Sequence, residues 1–224
     1  MSKELNPDPF TLSSMTLARR RLLALAVAPL LFPGKHLYAQ VVATPSHTWG
    51  FVTAKFDSRF SDNIYTAYGY DSFFLIAALV ENPRTDYSER IVGIGARLPM
   101  YRRLSQVVAT AFSNASDSRY LQIYYTPAAK LGGVSASASF KTYLPLDSAG
   151  VGKFEMTSLL TARVYGPVAA GVVYELDAAE HVATGHGSGG AVRIGLPHAE
   201  AGIDALLGIA HHHGHARLLF RAFY

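Results

Sequence analysis

The sequence predicts an all-β protein, namely a closed antiparallel barrel whose strands cross a membrane. Three observations favour this fold class. Apolar residues recur at every second position, turn-forming residues separate the alternating runs, and no apolar run beyond residue 39 suits a membrane helix. The longest such run, residues 73–80, has eight residues, whereas a helix needs about 20 to span a bilayer.

Composition excludes several other classes of protein. Hydrophobic residues make up 50% of the chain and charged residues only 16%, below the roughly 25% of soluble domains. Intrinsically disordered chains show the opposite balance, so disorder is excluded. Cysteine is absent, which excludes disulfide scaffolds, thiolate metal sites and cysteine nucleophiles.

Residues 1–39 have the order of a secretory signal peptide. Arg19, Arg20 and Arg21 precede eleven apolar residues at 22–32, and the small residue Ala39 follows at a suitable cleavage point. We therefore expect Sec export and cleavage near Ala39, with twin-arginine export as the alternative. Met15 is an alternative start, because residues 1–14 resemble neither a signal nor a domain.

Removal of that segment changes the charge balance. Residues 1–39 hold five of the 20 basic and two of the 16 acidic residues, so 15 basic and 14 acidic residues remain, a net charge of +1 instead of +4. Nucleic-acid binding would require a basic patch on the mature protein. We therefore expect no nucleic-acid partner.

Residues 40–224 read as one barrel domain. The alternating runs predict strands at 49–57, 64–70, 72–81, 88–98, 103–114, 118–127, 133–145, 152–165, 168–179, 188–196, 199–210 and 215–224. Twelve strands give the even number that bacterial barrels require. The alternative is ten strands, with residues 40–71 forming a plug or a periplasmic extension. Tyrosines near the predicted strand ends are expected to form aromatic girdles in the lipid headgroups: Tyr65, Tyr68, Tyr70, Tyr87, Tyr101, Tyr120, Tyr124, Tyr125, Tyr143, Tyr165 and Tyr174.

The last nine residues carry a family-level signal. Ala216, Leu218, Phe220 and Ala222 alternate with other residues, and the chain stops on the aromatic Tyr224. This segment resembles the C-terminal β-signal of bacterial outer-membrane proteins. The resemblance implies a Gram-negative outer membrane, contact with its lipids, and insertion by its assembly machinery through Phe220 and Tyr224. A soluble periplasmic binding barrel is the alternative, since it would alternate in the same way.

The polar faces of the later strands carry charges of alternating sign, which we predict to line the lumen. These are Lys153, Glu155, Arg163, Glu175, Asp177, Arg193, Glu200, Asp204, Arg217 and Arg221. Opposite charges on neighbouring strands would form ion pairs. The predicted function is passive, either a narrow porin-like pore for small solutes or a structural surface protein. The oligomeric state is left open.

Histidines suggest a second function. His211, His212, His213 and His215 are predicted to occupy one extracellular turn, and His181 and His186 another loop at 179–187. Imidazole binds Zn, Cu or Ni, and short histidine-rich tracts bind metals. The alternative is a polar turn without a ligand, and no other cofactor is expected.

A catalytic alternative rests on three residues. His186, Gly187 and Ser188 resemble the His-x-Ser spacing of lipid A deacylases, which implies His186 as base and Ser188 as nucleophile. Such a base must be oriented by a third group. No acidic partner follows from the sequence, although Glu180 and Glu200 are candidates. The interpretation therefore leans away from an enzyme.

Overall fold

A computed structural model describes residues 48–58, 62–101, 103–116, 118–180, 182–209 and 214–224. The predicted signal peptide at 1–39 lies outside the described residues, as do His181, His211, His212 and His213. Among the described residues, no helix is long and apolar enough to cross a membrane.

Twelve antiparallel strands close into one barrel. In chain order they are β1 (Thr48–Asp57), β2 (Asp62–Tyr70), β3 (Phe73–Asn82), β4 (Tyr87–Tyr101), β5 (Leu104–Ala115), β6 (Arg119–Leu131), β7 (Val134–Pro145), β8 (Lys153–Tyr165), β9 (Val168–Ala179), β10 (Val182–Leu196), β11 (Ala199–Ile209) and β12 (His215–Phe223). Each strand pairs with its neighbours in the chain, and β1 pairs with β12. The twelve-strand prediction is confirmed, and the ten-strand alternative is wrong because β1 and β2 are part of the wall.

The closing seam between β1 and β12 is bonded at the very end of the chain. Gly50 N–H donates to the Tyr224 carbonyl at 2.9 Å, and Tyr224 N–H donates to the Gly50 carbonyl at 3.1 Å. A side chain at Gly50 would collide with the ring of Tyr224. Closure leaves no unpaired strand edge, which is the arrangement that a strand needs in a hydrocarbon environment.

Connections differ between the two ends of the barrel. All five connections at the end where Tyr224 lies are two residues long, at 71–72, 102–103, 132–133, 166–167 and 197–198. Positive φ angles at Asp71 (50°), Gly132 (59°) and Gly166 (50°) suit such tight hairpins. Connections at the other end run from two to seven residues, as at 180–181 and 146–152. We call these ends the C-terminal rim and the opposite rim.

The outer wall is apolar. Leu207 is 77% exposed, Phe73 73% and Val92 66%, and they alternate along their strands with residues that face inward. Large exposed apolar surfaces on a single chain indicate contact with a membrane or a partner. Here the exposed residues encircle the barrel on β2–β12, as in barrels whose outward side chains meet lipid.

One strand begins earlier than the alternation predicts. We expected a loop at 179–187 and a strand from residue 188, but β10 begins at Val182. Glycines at 185, 187, 189 and 190 hide the period of two because they carry no side chain. Main-chain pairing with β9 and β11 nevertheless continues through them, from Gly185 onward. His186 therefore belongs to a strand and not to a loop.

Candidate functional site in the barrel lumen

Most of the charged side chains among the described residues lie on the inner wall. Strand register places all ten residues that we predicted for the lumen on the inward side: Lys153, Glu155, Arg163, Glu175, Asp177, Arg193, Glu200, Asp204, Arg217 and Arg221. Several face an opposite charge on the next strand. Arg217 lies beside Asp57 on β1 and Asp204 on β11, so a neutralised ladder forms across the closing seam.

Arg217 is the centre of this ladder. One guanidinium nitrogen, Nη2, lies 3.1 Å from Asp204 Oδ2, while Nη1 contacts Glu175 Oε1. Glu175 belongs to β9, three strands away from β12 in the wall. The side chain of Arg217 therefore reaches over part of the lumen instead of lying along its own strand.

Arg193 extends the ladder toward the C-terminal rim. Its Nη1 lies 2.5 Å from Asp204 Oδ1, and its Nε lies 3.9 Å from Glu200 Oε1. The residue facing it on β11 is Gly202, and a side chain there would overlap the guanidinium group. The small residue on β11 thus gives Arg193 room to lie flat against the wall.

His215 joins the same ladder and points inward. Its Nε2 lies 3.3 Å from Glu175 Oε2 and 3.6 Å from Asp57 Oδ2, with its side chain fully buried. We call Asp57, Glu175, Asp204, His215 and Arg217 the central charge cluster. His215 is thus the first residue of β12, in agreement with the predicted strand 215–224, and its side chain is buried inside the barrel instead of lying exposed in the histidine-rich turn.

A second polar network occupies β4, β6, β7 and β8 near the opposite rim. Gln122 donates to Glu89 and accepts from the Tyr124 hydroxyl. The Tyr143 hydroxyl donates to Glu155 Oε1 at 2.8 Å, and Lys141 Nζ contacts that hydroxyl. The buried polar groups of this network thus serve as hydrogen-bond partners for one another, as is usual in protein interiors.

Tyrosines contribute to this inner network, contrary to the girdle that we expected. Tyr65, Tyr120, Tyr124 and Tyr143 share the inward register with Gln122 and Lys141. The girdle prediction is therefore wrong for these residues, since their side chains face the lumen and the hydroxyl groups of Tyr124 and Tyr143 contact polar groups there. Tyr68, Tyr70 and Tyr165 do lie exposed on the outer wall.

An apolar, packed cluster covers much of the inner wall of β1–β5. Trp49, Phe74, Ile76 and Ile91 form its centre. Trp49 lies over Gly69, and Phe74 lies over Gly95, where a side chain would collide with each ring. The Arg97 guanidinium stacks on Trp49 at 3.4 Å. Hydrophobic side chains thus fill one half of the lumen. The polar side chains line the other half, which is the part of the lumen where a passage could run.

Exposure varies along that polar half. The side chain of Glu155, near the opposite rim, is 44% exposed, and that of Glu200, at the C-terminal rim, is 33% exposed. Between them, Arg217 and Asp204 are 3% and 5% exposed. Water therefore enters both mouths, while ion-paired side chains narrow the middle.

The predicted metal site is not assembled by the described histidines. His186 points outward on β10, whereas His215 points inward on β12. Among the described residues, no group of three or more histidine or acidic side chains is arranged to hold a metal ion. The histidines at 181 and 211–213 lie outside the described residues, so their part of the prediction stays a prediction.

His186 and Ser188 lie on the outer face of β10, two residues apart. The ladder neighbours of His186 are Leu176 and Ile209, and those of Ser188 are Tyr174 and Leu207. The ring of His186 packs against the ring of Tyr174 at 6.3 Å between centroids. None of these four neighbours carries a carboxylate that could orient the imidazole, and Glu200 faces the lumen instead.

Sequence reasoning did not single out several inner-wall groups. These are Lys55, Asp57, Glu89, Gln122 and Lys141. Their alternation with outward apolar residues, such as Lys55 and Asp57 with Phe56, was the available signal. It identifies the inward side of a strand but not which distant side chains meet there.

Comparisons with known proteins bear on the fold. No protein-family model matches the sequence, and no curated protein matches it. Among solved structures, the KdgM porin matches with a TM-score of 0.56 and 9% identity over 79% of this chain and 98% of that chain. The NanC porin matches with a TM-score of 0.56 and 7% identity over 78% of this chain and 99% of that chain. This chain shares the barrel fold of these porins.

Proposed function

We propose that this protein is an outer-membrane channel that passes small polar solutes through a narrow lumen. The observation that carries the proposal is the charged inner wall inside an apolar outer wall, with solvent-exposed carboxylates at both mouths. Barrels of ~8 strands are filled by side chains, whereas those of ~16 hold an aqueous channel. Twelve strands with half of the lumen packed suit a narrow passage.

The apolar wall and the unequal connections support an orientation. Bacterial outer-membrane barrels have short periplasmic turns and longer extracellular loops. The two-residue connections at the C-terminal rim match the periplasmic side, and the opposite rim then faces outward. Sec export with cleavage near Ala39, and assembly through Phe220 and Tyr224, belong to the same proposal. The two solved structures described above are porins by name.

Planar-bilayer recording tests the channel. The folded protein, extracted in detergent and identified by its heat-modifiable migration, should produce discrete conductance steps, whereas heat-denatured protein should not. Ser137→Trp, on the inward side of β7, should lower the unit conductance because it places a large ring in the lumen. Ala138→Trp, next to it on the outward side, is the matched control and should conduct normally.

Each result has a definite meaning. A flat trace from folded wild-type protein would contradict the channel and favour a structural surface protein. Equal conductance in both tryptophan variants would also contradict a path through the lumen. Unchanged lipid A acylation in cells that express the protein would separately remove the deacylase alternative for His186 and Ser188.

A further inference from the structure

Basic residues recur around the C-terminal rim on alternate strands. Each even-numbered strand from β4 to β12 has one inward basic side chain within four residues of its end at that rim: Arg97, Lys130, Arg163, Arg193 and Arg221. The odd-numbered strands contribute only one inward acidic residue in the same zone, Glu200 on β11. We call these five basic residues the cationic ring.

Four members of the ring are not neutralised by a carboxylate of the described residues. Arg97 stacks on Trp49, and Arg221 lies over Phe51 while its Nε donates to Thr53 Oγ1 at 3.0 Å. Lys130 and Arg163 are exposed. Only Arg193 is paired, with Asp204 and Glu200.

The described residues of the opposite rim show no such excess of basic side chains. Inward residues within four positions of the strand ends there include three members of the central charge cluster, Asp57, Glu175 and Arg217. Together with Glu89, Glu155, Asp177, Lys55, Lys141 and Lys153, they make five acidic and four basic side chains. The formal charge is thus −1 at this rim, with His215 neutral, against +4 at the C-terminal rim. Fixed charge is distributed unequally along the lumen.

We infer that the cationic ring is a binding zone for small anionic solutes, carboxylates or phosphates, and makes the channel anion-selective. The inference rests on the proposed channel and names its substrate class. A cleft lined by charge of one sign concentrates counter-ions, and rings of Arg and Lys select anions in pores. Guanidinium groups also bind carboxylate and phosphate oxygens through paired N–H donors.

The position of the ring at one rim adds a second consequence. Anions accumulate at the C-terminal rim before they meet the narrow centre, whereas the described residues of the opposite rim form no comparable excess of positive charge. Current carried by anions should therefore be larger when the voltage drives them from the C-terminal rim. Anion selectivity and current rectification should arise from the same residues and be lost together.

The test compares equal charge changes at the two rims. Reversal potentials in a KCl gradient should show that wild-type channels prefer chloride. The double variant Lys130→Gln, Arg163→Gln should lower the chloride-to-potassium permeability ratio by about twofold or more, because counter-ion enrichment scales with the local charge. It should also reduce rectification. Both side chains are exposed, so folding should be preserved. Lys153→Gln with Lys141→Gln, at the opposite rim, is the matched control.

Three outcomes separate the ring from the channel. Loss of selectivity and rectification in the C-terminal pair alone supports the inference. A conducting wild type without anion preference, or an equal effect of both pairs, overturns the inference and leaves the channel standing. If no protein conducts, calorimetry with inorganic tripolyphosphate decides. Salt-dependent binding that the C-terminal pair abolishes and the opposite pair retains supports the ring without a channel, and absence of binding overturns it.

Discussion

Arg217 shows how one side chain unites distant strands. It extends from β12 to Glu175 on β9 and to Asp204 on β11, and it is almost completely buried. Taking charges out of water is costly, and the cost is offset only where geometry supplies several opposing partners. The cluster provides them because closure of the barrel brings β9 and β12 onto one inner wall. Arg217 thus connects β12 to β9 and β11 through ion pairs inside the polar half of the lumen.

Replacement of Arg217 should destabilise the folded protein, and replacing its carboxylate partners as well should restore most of the lost stability. Arg217→Met should lower the free energy of unfolding by about 3 kcal/mol, because it leaves buried carboxylates without their cation. Adding Glu175→Gln and Asp204→Asn should restore most of the loss. Urea unfolding in detergent micelles measures all three, with Arg119→Met, an exposed partner of Asp147, as the control. If Arg217→Met lowered the free energy of unfolding no more than Arg119→Met does, the central charge cluster would not be shielded from water.

Two adjacent glycines on β10 differ in what surrounds them. A side chain at Gly189 would collide with the main chain of Ala205 on β11, whereas Gly190 has nothing within 4 Å. Gly189→Ala should therefore lower the free energy of unfolding by about 1–3 kcal/mol, as overpacking does, while Gly190→Ala should stay within about 0.5 kcal/mol of wild type. Equal midpoints in urea would show that β10 and β11 do not approach so closely.

At the scale of the strand, alternation predicted the number of strands, and strand register places the ten charged residues expected in the lumen on the inward side. Strands such as β7 and β8 alternate along most of their length, because their outward face is mainly apolar and their inward face carries most of the polar groups. β10 could not be predicted in full, since glycines have no side chain to mark a face. The link between Arg217 and Glu175 could not be predicted either, because barrel closure and the reach of the side chain decide which residues meet.

The connection between β7 and β8 is held by a carboxylate. Asp147 Oδ2 accepts from the Arg119 N–H at 2.9 Å, and Oδ1 accepts from the Gly150 N–H at 3.1 Å. The Arg119 main-chain N–H, together with its guanidinium group 3.5 Å away, lowers the pKa of Asp147 below its ordinary value. The ionised carboxylate therefore pins the longest connection at the opposite rim to β6.

The contact between Asp147 and Arg119 should be lost as the pH falls. Because the folded state has the lower pKa, the stabilisation is present in full above the ordinary pKa of an aspartate and is lost as pH falls through the lower folded value. Carbon-13 NMR of the labelled carboxyl group should thus show Asp147 titrating below an aspartate in the unfolded chain. Asp147→Asn should remove the pH dependence of this loop. Titration at the ordinary value would contradict the contact.

Across the whole molecule, the barrel wall separates three environments. The outer wall is apolar, one half of the inner wall is packed with aromatic and aliphatic side chains, and the other half is charged. A soluble barrel would place its charges outside and its core inside, which is the reverse of the arrangement on β7–β12. The distribution of charge thus favours a barrel in lipid with a polar lumen. The cationic ring lies at one mouth of that lumen, at the C-terminal rim.

The membrane location of the barrel can be tested by placing an arginine on the outer wall at two different depths in the bilayer. Ile94 lies midway along β4 and Leu131 at the C-terminal rim of β6, and both are about equally exposed on the outer wall, at 61% and 63%. In lipid, Ile94→Arg should cost about 2–4 kcal/mol and Leu131→Arg about 0–1 kcal/mol, because the penalty for a cation peaks at the bilayer centre. Unfolding of the protein in phospholipid vesicles measures both. In a water-exposed barrel neither substitution would be costly, so equal small effects would favour the soluble periplasmic barrel.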